Sequence, residues 1–416
     1  MGSSKRVLVV GGGIAGISAA VEASQAGAEV VLIEKQPYLG GRVSQMNLYF
    51  PKLCPPSCGL EINFRQLRNN SKITCYTQSE VHSISGEPGN YTVSITRSPR
   101  FVTDQCTACG ACIPFCPVRR PDPFNYGLSQ TRAIYFPSPA AYPPIFTIDP
   151  IDCLGEECSQ CIAECPNDAV DLKMQPETFE IEIDSVVLAT GWRPYPPEKI
   201  DNLGYASNPN VITNVELERL AAPDGPTGGQ ILRPSDQEPI ESAAFIQCAG
   251  SRDENYLRHC SSVCCLASLK QVRYIRQQYP KAEIYLFYID LRAPGRMEDF
   301  YLEAQQDPLL HLVKGKVGKV YPRNGESRIV VEAENVLTGR RIQQPVDLVI
   351  LATGMVPQVP RLSGNLAADE HGFLVVENAE ESAIFPAGCV RRPVGVAEAV
   401  RDATAAAMKA VQVVRG

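Results

Sequence analysis

The stretch Lys5–Lys35, "KRVLVVGGGIAGISAAVEASQAGAEVVLIEK", decides how the rest of the chain is read. Arg6–Val10 is a short apolar run of the kind a buried parallel strand requires. Gly11, Gly13 and Gly16 satisfy G-x-G-x-x-G. Ile14–Ala26 is Ala-rich at helical spacing, and Gly27 ends it. Glu29–Ile33 reads as a second strand with Glu34 at its end. Strand, tight turn, helix and strand form the unit that seats a dinucleotide. Gly11 permits the turn, Gly13 lets a pyrophosphate approach the backbone, and Gly16 lets the helix lie on the strand. The helix N-terminus, at Ile14 and Ala15, then faces the phosphates. Glu34, about twenty residues past the first glycine, is placed for a ribose hydroxyl, with Lys35 beside it. The fold class is α/β.

The chain has 416 residues, too many for one ordinary core, so two or three domains are expected. Its net charge of −7 argues against a nucleic-acid partner. Val7–Val10 is too short for a secretory apolar region, and no run approaches the roughly 18 apolar residues of a membrane span. "MGSSKR" matches a myristoylation signal only loosely. These features predict a cytoplasmic protein, where disulfides are rare. Sixteen cysteines, many at short regular spacings, then point to metal ligands or redox groups.

Beyond the second strand, "LGGR" (Leu39–Arg42) resembles the segment that runs along FAD in the two-dinucleotide-binding-domain, thioredoxin-reductase-like flavoproteins. "DSVVLATGWRP" (Asp184–Pro194) and "DLVILATGMVP" (Asp347–Pro357) resemble the two crossings between the FAD domain and the domain inserted into it. "AIFPAGCVRRPVGVAEAVRDATAAAMKAV" (Ala383–Val411) resembles the closing FAD motif, with Cys389 where that motif carries Asp. The resemblance implies FAD contacts at Gly41, Arg42, Val81, Ala189, Thr190, Gly191, Gly388, Cys389 and Val396.

Between the crossings, Ala243–Gln247 is strand-like, Ser261–Gln278 helix-like and Glu283–Ile289 strand-like. This βαβ frame lacks a glycine fingerprint, so NAD(P)H binding is not expected. Cys248, Cys260, Cys264 and Cys265 stand there instead and suit a [4Fe–4S] cluster. Buried structural thiols and zinc are the other readings, and His259 is expected beside the site rather than as a ligand.

"CTACGACIPFCP" gives Cys106, Cys109, Cys112, Cys116 and Pro117, the ferredoxin run C-x2-C-x2-C-x3-C-P. "CLGEECSQCIAECP" gives Cys153, Cys158, Cys161, Cys165 and Pro166, with four residues between its first two cysteines. In two-cluster ferredoxins the fourth cysteine of each run serves the other cluster. Cys106, Cys109, Cys112 and Cys165 are therefore expected around one [4Fe–4S] cluster, and Cys153, Cys158, Cys161 and Cys116 around the second. The Pro- and aromatic-rich segment 117–152 is expected as an ordered covering loop or a docking surface. Cys54 and Cys58 could be a redox pair, ligands of a further cluster or structural thiols. Cys75 reads as a strand residue.

Through the fingerprint, "LGGR", the ferredoxin runs and "IQCAGSRD…HCSSVCC", the chain resembles the flavin iron–sulfur subunits of heterodisulfide reductase, the ones lettered A. It resembles still more their shorter relative in the quinone-interacting membrane-bound oxidoreductase, through "YFPKLCPPSCGLEINF" (Tyr49–Phe64). The resemblance implies an oxidoreductase subunit carrying FAD and [4Fe–4S] clusters. It also implies a second flavin iron–sulfur subunit and a membrane quinone subunit as partners, hence peripheral membrane attachment. Electrons would pass between menaquinone and adenylylsulfate reductase in sulfate reduction. The rival readings are an NAD(P)H-dependent disulfide or sulfur reductase, an electron-bifurcating subunit of the heterodisulfide-reductase type, and a non-catalytic scaffold. The expected organisation is an FAD domain over 1–100 and a ferredoxin-like insert over 101–175. A strand and crossing follow over 176–195, then a second Rossmann-like domain over 196–346, and the remainder of the FAD domain over 347–416.

Overall fold

Val7, Leu8 and Val9 have no solvent exposure, because the strand Arg6–Val10 is covered on both faces. In the computed structural model, which describes residues 5–323, 328–362, 366–375 and 382–415, this strand is the centre of a five-stranded parallel sheet. The order is Ile384–Pro386, Ser185–Leu188, Arg6–Val10, Glu29–Ile33, Ile73–Tyr76. Alternate residues serve opposite faces, as the pleat demands. Val7 and Val9 pack with Ala19, Ala23, Ala403 and Ala407 from the helices Ile14–Gln25 and Val396–Arg415. Leu8 and Val10 pack with Val93, Ile95 and Ile183 of an antiparallel sheet, Ser79–Glu87, Asn90–Arg97 and Glu177–Ile183. The alanines explain the close approach of the two helices.

That antiparallel sheet also brings the ends of the insert together: Arg97 pairs with Glu177. The residues between contain little regular structure. Arg119–Pro121 pairs with Gln130–Arg132, Ile134–Tyr135 pairs with Thr147–Ile148, and Gln160–Ala163 is a single helical turn. Their core is small, built on Val102, Ile134, Phe146, Ile148 and Val170, with cysteines packed into it.

The chain divides into two units, Met1–Trp192 with Pro357–Gly416, and Arg193–Val356. The second has its own parallel sheet, ordered Val211–Thr213, Leu348–Thr353, Ser242–Ala249, Glu283–Tyr288, Leu310–Lys314. The antiparallel strands Val317–Pro322, Ile329–Asn335 and Arg340–Val346 share a core with it. Two sequence expectations need correction. Leu348–Thr353 pairs inside this second sheet, so the boundary lies after Val356 rather than at 346/347. The helix begins at Cys264, not Ser261. Ser261 and Ser262 are held in a turn, with Ser262 at φ +60°, the Met355 amide donating to Ser261 Oγ, and the Ser262 amide donating to Cys260 Sγ. Among the described residues no helix is long and apolar enough to cross a membrane.

Candidate nucleotide cradle and cysteine cages

The glycines of the N-terminal fingerprint divide the work as their surroundings dictate. A Cβ on Gly11 would lie 2.4 Å from the Ala189 carbonyl oxygen, and one on Gly16 would lie 1.7 Å from the Gly11 oxygen. Both positions therefore exist for close packing of turn, strand and helix. Gly13 is different: a Cβ there meets only the Gly41 Cα, at 3.9 Å. Gly13 and Gly41 line an open cradle directly before the helix Ile14–Gln25. That helix has no side-chain cap and no acid in its first turn, so its leading amides, including those of Ile14 and Ala15, are left for an anion.

Glu34 is pinned beside the cradle. The Gly12 and Gln36 amides donate to its two oxygens, each at 2.6 Å. Burial raises its pKa above the ordinary carboxylate value, and those amides oppose the rise. Lys35 turns outward and pairs with Glu80. The Val81 side chain is buried in the core with Leu8 and Val10, so only its backbone can face a ligand. The Ala189 amide donates to Val10, and Thr190 Oγ1 donates to the Gln358 carbonyl. Gly191 and Gly388 have φ of +73° and +67°. Gly388 lies against Ala15 and precedes the long helix that starts at Val396. Cys389 donates to the Val394 carbonyl at 3.4 Å, and burial pushes its thiol up to about 11.

Arg42 ties this cradle to the insert. Its Nε donates to the Trp192 carbonyl and its Nη1 to the Tyr126 hydroxyl, both at 3.0 Å. The Tyr126 hydroxyl donates to Gln45, whose amide donates to the Phe124 carbonyl. Tyr38 packs edge-on against Phe124, and the Leu39 amide donates to the Tyr142 carbonyl. Segment 117–152 is therefore ordered against residues 38–45. Sequence alone points to Arg42 but not to Tyr126, Gln45 or Trp192. The one hint it holds is the chain's single tryptophan directly after Gly191.

Within the insert, Cys106, Cys109, Cys112 and Cys165 line one cavity. Cys116, Cys153, Cys158 and Cys161 line another. Ile134 borders both. Backbone amides already point at sulfur: Ala108 donates to Cys106, Gly155 to Cys153 and Ala169 to Cys165, at 3.3–3.4 Å. Burial, reinforced by the neighbouring thiols, pushes Cys112 up to about 12 and Cys161 to about 11.

The second unit gathers Cys248, Cys260, Cys264 and Cys265 at one strand–helix junction. Cys248 ends the strand at φ +57°, and Cys264 and Cys265 open the helix Cys264–Gln278. Burial and then the Cys265 and Cys260 thiols raise Cys248 to about 11. Cys264 donates to Cys265, which raises Cys264 and draws Cys265 down to about 7. His259 Nε2 is bonded to the Met355 carbonyl oxygen at 2.8 Å, which anchors the loop before Cys260. Cys54 and Cys58 are free thiols near Tyr49, with Cys58 exposed in the first turn of the helix Pro56–Arg68, and Cys75 lies in the strand Ile73–Tyr76. Among the described residues, no three Cys, His, Asp or Glu side chains converge closely enough to hold a single metal ion.

Residues 6–55 match the family model for FAD dependent oxidoreductases. The chain is 38% identical over 99% of its length to the HdrA-type chain (lettered A) of the ferredoxin:CoB-CoM heterodisulfide reductase of Methanosarcina mazei, of which it spans 53%. It is 36% identical over 97% of its length to an iron-sulfur chain, also lettered A, of the CoB–CoM heterodisulfide reductase of Methanopyrus kandleri, spanning 64% of that protein. The chain thus spans between about half and two thirds of these curated relatives. Thioredoxin reductases from Lactococcus lactis and T. acidophilum superpose with TM-scores of 0.56 and 0.55 at 13% and 14% identity, each covering 99% of this chain and 99% and 98% of theirs. The chain is therefore a relative of these HdrA-type heterodisulfide reductase chains, built on the thioredoxin-reductase-like fold of an FAD-dependent oxidoreductase.

Proposed function

We propose that the chain is a flavin and iron–sulfur electron-transfer subunit. FAD would be held by Gly11, Gly13, Ile14, Ala15, Gly16, Glu34, Gly41 and Arg42. One [4Fe–4S] cluster would be held by Cys106, Cys109, Cys112 and Cys165, and one by Cys116, Cys153, Cys158 and Cys161. A third would be held by Cys248, Cys260, Cys264 and Cys265. When bound, a flavin exchanges electrons singly or in pairs and a cubane cluster exchanges them one at a time.

The observation that carries this reading is the crosswise sharing of eight cysteines between two cavities. A tetrahedral zinc site with Zn–S bonds of about 2.3 Å draws its thiols to within about 4 Å of one another. Among the described residues no three such side chains meet closely enough for a single ion, which disfavours zinc. The clamp from Arg42 through Tyr126 fixes the insert to the nucleotide cradle within one unit. That arrangement supports electron movement between flavin and insert. The apolar side chains of Phe115, Ile151 and Leu154 are exposed beside the cysteine runs and support delivery to a protein partner.

The test is anaerobic isolation with iron, sulfide and flavin analysis. About twelve irons per flavin are expected from three cubes. About eight would remove the third cluster, and about sixteen would make Cys54 and Cys58 ligands. The NAD(P)H-dependent reductase reading is disfavoured by the strand–helix junction 248–265, which has Cys248, Cys260, Cys264 and Cys265 and no G-x-G-x-x-G. Flavin reduction on mixing with NAD(P)H would restore it. The finer reading places the subunit beside a second flavin iron–sulfur subunit and a membrane quinone subunit, between menaquinone and adenylylsulfate reductase. It is carried by the segment Tyr49–Phe64, and copurification of those partners tests it.

A further inference from the structure

We infer that Gln247 and Ser268 are hydrogen-bond donors to the cluster of Cys248, Cys260, Cys264 and Cys265 and set its reduction potential. The inference rests on the proposed third cluster and goes beyond its ligand set.

Gln247 is 5% exposed and Ser268 is fully buried. Both polar atoms of the Gln247 amide and the Ser268 hydroxyl have no hydrogen-bond partner. Leaving such groups unpaired costs about 1–3 kcal/mol each, so a folded protein retains them where something absent from the polypeptide satisfies them. Both sit at the cysteines. Gln247 immediately precedes Cys248 in the strand Ser242–Ala249. Ile246 is registered with Leu351 of the neighbouring parallel strand and Ala249 with Thr353, so Gln247 and Cys248 lie in the bulge between those pairs, next to Ala352. Ala352 packs directly with Cys264 and Cys265. Ser268 follows Cys264 by one helical turn, and a helical side chain lies over the turn before its own Cα. The two orphaned groups thus approach the same thiol pair from the sheet and from the helix.

Each residue has a proton to donate, and a thiolate or sulfide accepts. Reduction adds negative charge to a cluster, so a donor favours the reduced form and raises the potential. The cluster would satisfy the Gln247 Nε2 and Ser268 Oγ donors but not the Gln247 Oε1 acceptor, whereas a buried water bridging the two side chains would leave the potential unmoved.

The test is EPR-monitored redox titration of the whole anaerobically isolated protein, as wild type, Gln247→Leu and Ser268→Ala. The relevant signal is the one lost in Cys260→Ser. Each variant is expected to keep the wild-type iron content and to shift that cluster about tenfold toward its oxidised form, a lowering of about 59 mV for one electron. The other two clusters stay where they were. Unchanged potentials in both variants overturn the inference, and so does a shift in an insert cluster instead. If Gln247→Leu does not fold, the one-atom truncation Ser268→Ala decides alone. Failure of the underlying reading looks different: wild type itself would hold about eight irons and show no signal dependent on Cys260.

Discussion

The guanidinium of Arg42 donates to the hydroxyl of Tyr126 at 3.0 Å, joining the glycine segment of the nucleotide cradle to the cysteine-rich insert. Tyr126→Phe deletes this bond and the hydroxyl's bond to Gln45 while keeping the ring under the Arg42 cation. Loss of a bond to a charged group costs about 1.5–3 kcal/mol. The variant is expected to retain flavin and iron, to melt at a lower temperature, and to pass electrons from reduced flavin to the insert more slowly. Calorimetry and stopped-flow absorbance measure the two effects.

The glycines of the fingerprint separate binding from folding. Gly13→Ala places its methyl in ordinary contact with the Gly41 Cα, at 3.9 Å, so the protein is expected to fold with an unchanged melting temperature and to lose flavin. Gly16→Ala drives a methyl to 1.7 Å from a carbonyl oxygen and is expected to cost about 3 kcal/mol or more of stability. Circular dichroism and flavin absorbance on the two variants distinguish the effects. Equal flavin loss at equal stability would contradict the assignment.

Crosswise ligation predicts a reciprocal pattern. Cys165→Ser should damage the cluster shared with Cys106, Cys109 and Cys112, although that run lies far away in sequence. Cys116→Ser should damage the cluster shared with Cys153, Cys158 and Cys161. Each should lower the iron content by between about one and four per protein, and the EPR spectra of the two variants should lose different signals. Loss of the same signal in both would contradict the partition.

Glu34 gives a pH dependence. Its folded-state pKa is raised above 4.5 by burial. The group therefore contributes stability that is fully present below its unfolded value and is lost as pH rises through the folded one. In flavin-free protein, Glu34→Gln should gain stability over wild type as pH climbs from about 4.5 through that raised value, then level off. Flavin affinity should fall about tenfold in the same variant, because a ribose hydroxyl loses a charged acceptor. Urea titrations at stepped pH and flavin titrations give both readings.

Sequence alone makes the N-terminal βαβ unit legible, because each glycine there answers a local steric demand within a few residues. Both insert cysteine sets are legible too, since the ferredoxin spacing carries its own rule for the fourth ligand. Sequence is silent where the cause is distant. Leu348–Thr353 carries the same Ala-Thr-Gly signature as Ser185–Leu188, yet its strand is recruited by Val211–Thr213 and Ser242–Ala249. The clamp of Arg42 on Tyr126 spans 84 residues and leaves no local pattern. The delayed helix start at Cys264 depends on the Met355 amide, which lies in another strand.

Ligand exchange between the two runs has a consequence for how the insert is made. Cys116 and Cys165 each stand in the cage of the other run, so neither cage is complete until synthesis has passed Cys165. Iron loading of either cage would then follow synthesis of both runs. The two closed loops also interlock, each cube acting as a cross-link that shrinks the conformational freedom of the unfolded segment. With so small an apolar core, the insert would draw part of its rigidity from those cubes. Oxidative loss of one cube should therefore loosen the cage of the other.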